Sequence, residues 1–240
     1  MKFSSSLVPG VLLRREKRFI VHVRLADGSE VVAHTNNSGS MLGCSEPGSP
    51  VWLSPADRPE RKLKWTWELV AVGPAGVLVG INTALPNQLV QEGTEQGVIS
   101  ELQGYTRIRR EVRYGAEGSR IDLLLDDEQR AASSLPSAWV EVKNVTLAEG
   151  GRARFPDAVT VRGRKHLREL EWCVRQGDRG VLVFVVQRAD VHSVTAADDI
   201  DPDYGHALRR AVDNGVTVLA YRAQVTLEEV CLVESLPVCL

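Results

Sequence analysis

The chain is short of cysteine, of long apolar runs and of any strong excess of charge, and each shortage removes a class of protein. Four cysteines occur in 240 residues, Cys44, Cys173, Cys231 and Cys239, with no C-x-x-C pair among them. That spacing argues against a structural zinc site, and reduced thiols in a cytoplasmic protein are the expected state. Residues 1–20 lack the continuous apolar core of a signal peptide. The longest apolar run, 181–186, is far too short to span a bilayer, so no membrane partner is expected. There is no G-x-S-x-G elbow, Walker A loop or dinucleotide fingerprint, and no cysteine has an identifiable catalytic partner.

Net charge is only −2, so no global basic field announces a polyanion. The charge is uneven, however: residues 1–83 carry a net +3 and the remainder −5. Basic residues fall in four clusters: Arg14, Arg15, Lys17, Arg18; Arg58, Arg61, Lys62, Lys64; Arg107, Arg109, Arg110, Arg113; and Arg162, Arg164, Lys165, Arg168. Solvated surface explains any one of them; a polyanionic partner explains four in an acidic chain.

Hydrophobic content of 43% and charged content of 25% fit a globular chain of one large or two small domains. Residues 18–25 alternate, with Phe19, Val21, Val23 and Leu25 on one face. Asp27-Gly28 predicts a hairpin into a return strand over 30–34. Further short strands are expected at 51–53, 63–72 and 76–81, separated by Pro- and Gly-containing turns. Five or six strands in about eighty residues suggest a small Greek-key barrel of the OB type. Such barrels hold single strands on exposed aromatics beside basic residues, a role open to Lys62, Lys64, Trp65 and Trp67. Core packing is the competing fate of the two tryptophans, which share a strand face.

The pattern changes near residue 83, which sets domains at 1–83 and 84–240. Pro86 can open a helix that Gly93 and Gly97 would break. Strands are expected over 108–114, 120–125 and 139–145, with a polar turn at 126–137. A helix from Pro156-Asp157, a buried strand at 181–186, a helix capped by Asp201-Pro202 and a strand at 216–221 follow.

Two of these strands carry charge in apolar surroundings. In Trp139-Val140-Glu141-Val142-Lys143 the acid and the lysine point to one face and the valines to the other. Asp122 precedes Leu123, Leu124 and Leu125. If the strands are neighbours, Asp122, Glu141 and Lys143 converge. Two acids and a lysine can hold Mg²⁺ or Mn²⁺ and neutralise a phosphate, which suits phosphodiester hydrolysis. A structural cross-strand ion pair is the plainer alternative.

The strand order, with Asp on the second strand and Glu-x-Lys on the third, resembles the PD-(D/E)xK nuclease core, with Ile121 in place of the proline. A wider resemblance is to the sugar fermentation stimulation protein family. It is carried by Lys17-Arg18-Phe19, Asn37-Ser38-Gly39-Ser40-Met41, Thr66-Trp67-Glu68-Leu69, Asn82-Thr83, Pro86-Asn87 and residues 111–122 (EVRYGAEGSRID). It continues through residues 140–147 (VEVKNVTL), 154–159 (RFPDAV) and 162–170 (RGRKHLREL). Thr35-Asn36 depart from the family's Cys-Pro-containing loop.

The resemblance implies an N-terminal OB-like β-barrel and a C-terminal restriction-endonuclease-like mixed sheet flanked by helices. It also implies DNA binding without sequence preference and a regulatory link to sugar metabolism, with or without cleavage. Asp122 and Glu141 would ligate the metal, with the Val142 carbonyl and Glu101 as further ligands. Lys143 would stabilise charge at phosphorus or position water. Candidate DNA contacts are Arg18, Asn37, Ser38, Lys62, Lys64, Arg120, Arg162, Arg164, Lys165 and His166. Each has a plain alternative: Glu101 as a helix-end charge, His166 as a half-buried structural histidine, the arginines as solvated helix surface, and Asn37-Ser38-Gly39 as loop geometry.

Overall fold

The computed structural model describes residues 1–56, 60–115, 117–128 and 135–240. Arg58, and residues 129–134 of the expected polar turn, lie outside them. The first six strands are β1 (Val8–Glu16), β2 (Ile20–Leu25), β3 (Glu30–His34), β4 (Pro50–Pro55), β5 (Trp65–Val72) and β6 (Val77–Gly80). They run in the order β3-β2-β1-β4-β5-β6. A parallel pairing of β3 with β5, through Ala33–Trp65 and His34–Thr66, closes the first five into an OB barrel.

The strand that joins the two halves of this barrel, β1, is the one the sequence hid. It contributes one buried side chain, Leu12, shifts register between Leu12 and Arg14, and runs into the basic cluster. Its turn into β2 holds Lys17 and Arg18 at positive φ, without the glycine or asparagine that usually marks such a turn. The barrel core collects Leu12, Val21, Val23, Val51, Leu53 and Trp67, so Trp67 is core and Trp65 packs half-buried against it.

The second domain opens with α1 (Pro86–Glu95) and a 3-10 turn (Ser100–Leu102). There follow β7 (Arg107–Tyr114), β8 (Ser119–Asp126), β9 (Ala138–Val145), β10 (Ala148–Glu149) and β11 (Arg152–Phe155). Then come α2 (Val161–Arg175), β12 (Arg179–Val186), β13 (Ser193–Ala196), α3 (Pro202–Asp213), β14 (Thr217–Val225), β15 (Val230–Ser235) and β16 (Val238–Cys239). The main sheet runs β15-β14-β12-β9-β8-β7, with β9, β12 and β14 parallel and the outer pairs antiparallel. Residues 181–186 on β12 are buried throughout, as a strand covered on both faces must be. A small second sheet, β10-β11-β13-β16, and the edge strand β15 were not legible as strands.

One apolar cluster joins α1 to one face of the main sheet through Leu89, Val90, Val140, Val142 and Val183. Another joins α2 and α3 to the opposite face through Leu167, Leu170, Phe184 and Leu208. Helix α3 starts where expected, with the Asp201 carboxylate accepting the Tyr204 N–H. Helix α2 does not. It starts at Val161 under a Thr160 cap, because Asp157 is engaged elsewhere: its carboxylate accepts the Met41 N–H at 3.0 Å from the other domain. The domains also meet where the Gly80 N–H donates to the Gln187 carbonyl at 3.0 Å. A β-carbon at Gly80 would fall 2.3 Å from the Gln187 side-chain oxygen, so a larger residue there would displace that amide. Among the described residues no helix is long and apolar enough to cross a membrane.

Candidate functional site

The site begins with a break in the alternation of β8. Ile121 and Leu123 are two apart and should share a face, yet Ile121 joins the α2–α3 core and Leu123 the α1 core. Opposite the break, Glu111 on β7 has φ of 54°, and the ladder passes from Arg110–Leu123 to Val112–Ile121 without a pairing between. The β8–β9 ladder itself stops at Leu123–Val140. Asp122 thus sits where β8 and β9 part. Its Oδ2 accepts the Val142 N–H at 2.7 Å, taking the place of a ladder carbonyl. Its Oδ1 accepts from the Asn87 side-chain amide, in the first turn of α1, at 2.8 Å.

On β9 the expected parity is observed. Val140 and Val142 enter the α1 core, while Glu141 and Lys143 turn toward α2. There Lys143 Nζ lies 2.5 Å from Glu141 Oε1, and His166 of α2 bonds the same oxygen through Nδ1. Arg162 Nε donates to His166 Nε2 at 3.2 Å. Lys143 Nζ also lies 3.2 Å from His166 Nδ1, so lysine, imidazole and carboxylate form one tight cluster. His166 is therefore both buried and part of the site.

Asp122, Glu141, Val142, Lys143 and His166 line one cleft of about 350 Å³ with Arg162, Asn87 and Asn144. The barrel supplies its other wall, Asn37, Ser38 and Gly39. That loop is held by Arg15, which donates to the carbonyls of Asn37 (2.8 Å), Gly39 (3.0 Å) and Ser40 (3.2 Å). Ser40 Oγ donates to the Asp157 carbonyl at 2.7 Å, and the Asn37 amide donates to the Ile81 carbonyl at 3.2 Å. A β-carbon on Gly39 would come within 3.0 Å of Asn37 Oδ1 and 3.1 Å of Asp157 Oδ2.

The two carboxylates differ electrically. Burial, reinforced by the charge of Glu141, pushes the Asp122 carboxyl up to about 6, against the Val142 N–H, Lys143 and Asn87. Burial works against ionised Glu141 as well, but Lys143 and His166 outweigh it and hold the group below the usual carboxylate range. Glu141 Oε2 is buried with no hydrogen-bond partner among the described residues. An orphaned carboxylate oxygen near a second carboxylate is a donor set for a hard divalent cation that keeps part of its water shell. No group of three or more His, Cys, Asp or Glu able to hold a metal occurs among the described residues. Two carboxylates and the Val142 carbonyl are thus the protein's candidate donors.

The remaining candidates divide. Asn37, Ser38, Arg162 and His166 line the cleft; Arg18, Lys62, Lys64, Arg120, Arg164 and Lys165 do not. Arg164 lies 2.9 Å from the Asp201 carboxylate that caps α3, and Lys165 donates to the Glu117 carbonyl at 2.9 Å. Arg107 and Arg109 are both paired with Asp126, and Arg110 bonds Gln91, so that basic cluster is largely structural. Glu101, offered as an outer ligand, does not line the cleft: it accepts from Tyr221 OH at 2.6 Å and Ser100 at 3.0 Å. The α1 side of Asp122 is occupied by the Asn87 amide. In the sequence Asn87 carries no mark of a role, Asp157 marks only a helix start, and Arg15 is one member of a basic cluster. Nothing local distinguishes these residues from ordinary loop polar groups.

The same two-domain arrangement recurs elsewhere. Residues 13–81 match the SfsA N-terminal OB domain, and residues 84–229 match the sugar fermentation stimulation protein RE domain. The sugar fermentation stimulation protein homolog of Geobacter metallireducens is 60% identical over 240 residues, all of both chains. That of Geobacter sulfurreducens is 60% identical over 232 residues, 97% of this chain and 96% of its own. The solved structure of Pyrococcus furiosus SfsA in complex with Ca²⁺ is 27% identical, covers 100% of this chain and 98% of its own, and superposes with a TM-score of 0.87. Matched along its whole length in sequence and in fold, the chain belongs to the sugar fermentation stimulation protein family.

Proposed function

We propose that this is a DNA-binding protein whose interdomain cleft is a divalent-metal, nuclease-type site. The observation that carries the reading is the meeting of Asp122, Glu141 and Lys143 in one polar cleft, with a buried Glu141 oxygen left unpartnered. That a relative of the same fold was solved in complex with Ca²⁺ supports a hard-cation site, since Ca²⁺, Mg²⁺ and Mn²⁺ all favour oxygen donors.

Asp122, Glu141 and the Val142 carbonyl would hold Mg²⁺ or Mn²⁺. Such an ion polarises a phosphoryl oxygen and makes water a better nucleophile. The side chains divide the remaining work. The Asp122 carboxylate is oriented by the Val142 N–H and Asn87 before any ligand arrives. Lys143 carries the positive charge nearest to Glu141 and would meet the negative charge that builds on phosphorus. His166 fixes Glu141, and Arg162 fixes His166 while facing the cleft. Ser38, on the barrel wall, would orient the sugar-phosphate backbone, and Asn37, bonded to the Ile81 carbonyl and the Gly39 N–H, would hold that loop in place.

The test is cleavage of single- and double-stranded DNA by purified protein in EDTA, Mg²⁺ or Mn²⁺. Metal-dependent cleavage abolished by Glu141→Ala is expected. Cleavage in EDTA, or cleavage retained by Glu141→Ala, contradicts the reading.

A second reading is favoured by the close Lys143–Glu141 pair, which occupies the lysine before a substrate arrives. In that case the protein is a DNA-binding regulator with a retained metal site. It would bind DNA with strong salt dependence and would not cleave it, whatever metal is added.

A further inference from the structure

The sequence offered Trp65 and Trp67 as a surface for stacking bases, and the structure spends Trp67 on the barrel core. A different aromatic pair is left outside. Phe19, one residue before β2, is 46% exposed although it is large and apolar. Its ring lies nearly parallel to the imidazole of His34, at 7° with centroids 6.4 Å apart. Val32, outward-facing on β3, is also exposed. Cations surround the pair. Lys17 and Arg18 form the exposed turn leading into Phe19, and Arg24 is exposed farther along β2. Arg61 donates to the hydroxyl of Thr66, the ladder partner of His34. The nearby acid Glu16 lies 2.7 Å from Arg14.

We propose that the stacked Phe19–His34 pair is a platform for an unpaired base of single-stranded DNA, at the entrance to the interdomain cleft. A flat aromatic surface beside unpaired cations matches a base next to a phosphate, whereas a protein partner would need a wider apolar patch than Phe19 and Val32. The second and third strands of an OB barrel form a face on which such barrels hold oligonucleotides. Burial, with Arg61 adding to it, lowers the His34 pKa below its ordinary value, which favours the uncharged ring beside Phe19. The platform is also continuous with the cleft. The Phe19 carbonyl accepts the Thr35 N–H at 3.0 Å, and Asn37 of the cleft wall is three residues beyond His34. Chain geometry limits that gap to about 11 Å between Cα atoms, so one strand can touch both.

The inference shares its ligand class with the nuclease-type reading but none of its residues, so the two fail separately. The experiment is fluorescence anisotropy of a labelled oligodeoxynucleotide with full-length protein in EDTA, for wild type, Phe19→Ala, Phe19→Trp and His34→Ala. Calorimetry with Mn²⁺ and thermal melting accompany each variant. Phe19→Ala is expected to weaken single-strand binding by about 5- to 100-fold, the range for losing one stacked base. Phe19→Trp should restore it, with Mn²⁺ binding and melting temperature unchanged. The inference is overturned by unchanged affinity in Phe19→Ala, an equal loss for blunt duplex, binding of RNA but not DNA, or no single-strand binding by the wild type. Conversion of a dimer to a monomer by Phe19→Ala without loss of DNA affinity would likewise overturn it, identifying the patch as a contact between copies. Loss of Mn²⁺ binding in Glu141→Ala leaves the platform intact and tests only the cleft.

Discussion

Two aspartates four residues apart on β8 live in opposite electrostatic worlds. Asp126 is buried, yet Arg107 and Arg109 both reach its carboxylate, and they hold its pKa below the usual value despite the burial. Asp122 has an amide, a backbone N–H and a lysine already committed to Glu141; burial and the charge of Glu141 win, and its pKa rises to about 6. The first is an ion pair that fastens β7 to β8. The second is negative charge concentrated without enough positive charge, at the point where strands β8 and β9 separate. A structural carboxylate is matched in place, whereas under the proposed reading the charge missing at Asp122 is what a bound cation would supply.

The sharpest way to break this comparison is at Glu141. If the cleft acts on phosphodiesters through a bound ion, Glu141→Ala removes a ligand and lowers cleavage by about 1000-fold or more, the equivalent of several kcal/mol, in a gel-based turnover assay. Next in size is Lys143→Met. It removes the cation from a carboxylate that is 2% exposed, and destabilisation of about 3 kcal/mol is expected in urea unfolding in EDTA, partly reversed by Glu141→Gln in the same chain. Asp122→Asn and Asp126→Asn should then move in opposite directions. In EDTA at pH 7, Asp122→Asn relieves a buried charge and is expected to hold or raise the urea midpoint, while abolishing Mn²⁺ binding. Asp126→Asn is expected to cost about 1 kcal/mol, discounted because its arginines are 40% and 43% exposed. Because the folded-state pKa of Asp126 is depressed, its contribution is present above the unfolded value near 4 and is lost as pH falls. Asp126→Asn should therefore flatten the acid limb of the stability curve. The smallest effect is at Gly39→Ala, where the new methyl crowds Asn37 and Asp157; a loss of about 1 kcal/mol and a modest rise in KM for DNA are expected.

The same contrast explains what the sequence disclosed. Period-two alternation exposed β2 and β9, and with β9 the shared face of Glu141 and Lys143, because strand parity needs no tertiary information; the Asp27-Gly28 turn exposed β3. The buried run at 181–186 and the Asp201-Pro202 cap were legible for equally local reasons. Strand β1 was hidden because only Leu12 faces the core and its turn uses Lys17 and Arg18 at positive φ. The break at Asp122 was hidden because the run from Ile121 to Leu125 reads as one uninterrupted strand, whereas its two flanking residues enter different cores. Glu101 was assigned by its position on the helix preceding the sheet, but a hydrogen bond to Tyr221, 120 residues away, decides where it points. Arg15 belonged to a run of charge on paper and in space serves as the clamp of the cleft's barrel wall.

The most direct test is anomalous diffraction from crystals of the protein soaked in Mn²⁺, collected on both sides of the manganese edge. One strong peak is expected within about 2.3 Å of oxygen atoms of both Asp122 and Glu141, lost in Asp122→Asn. A fully occupied peak elsewhere with none between these two carboxylates, or the cleft filled by the Lys143–Glu141 pair at saturating Mn²⁺, would contradict the metal-site reading.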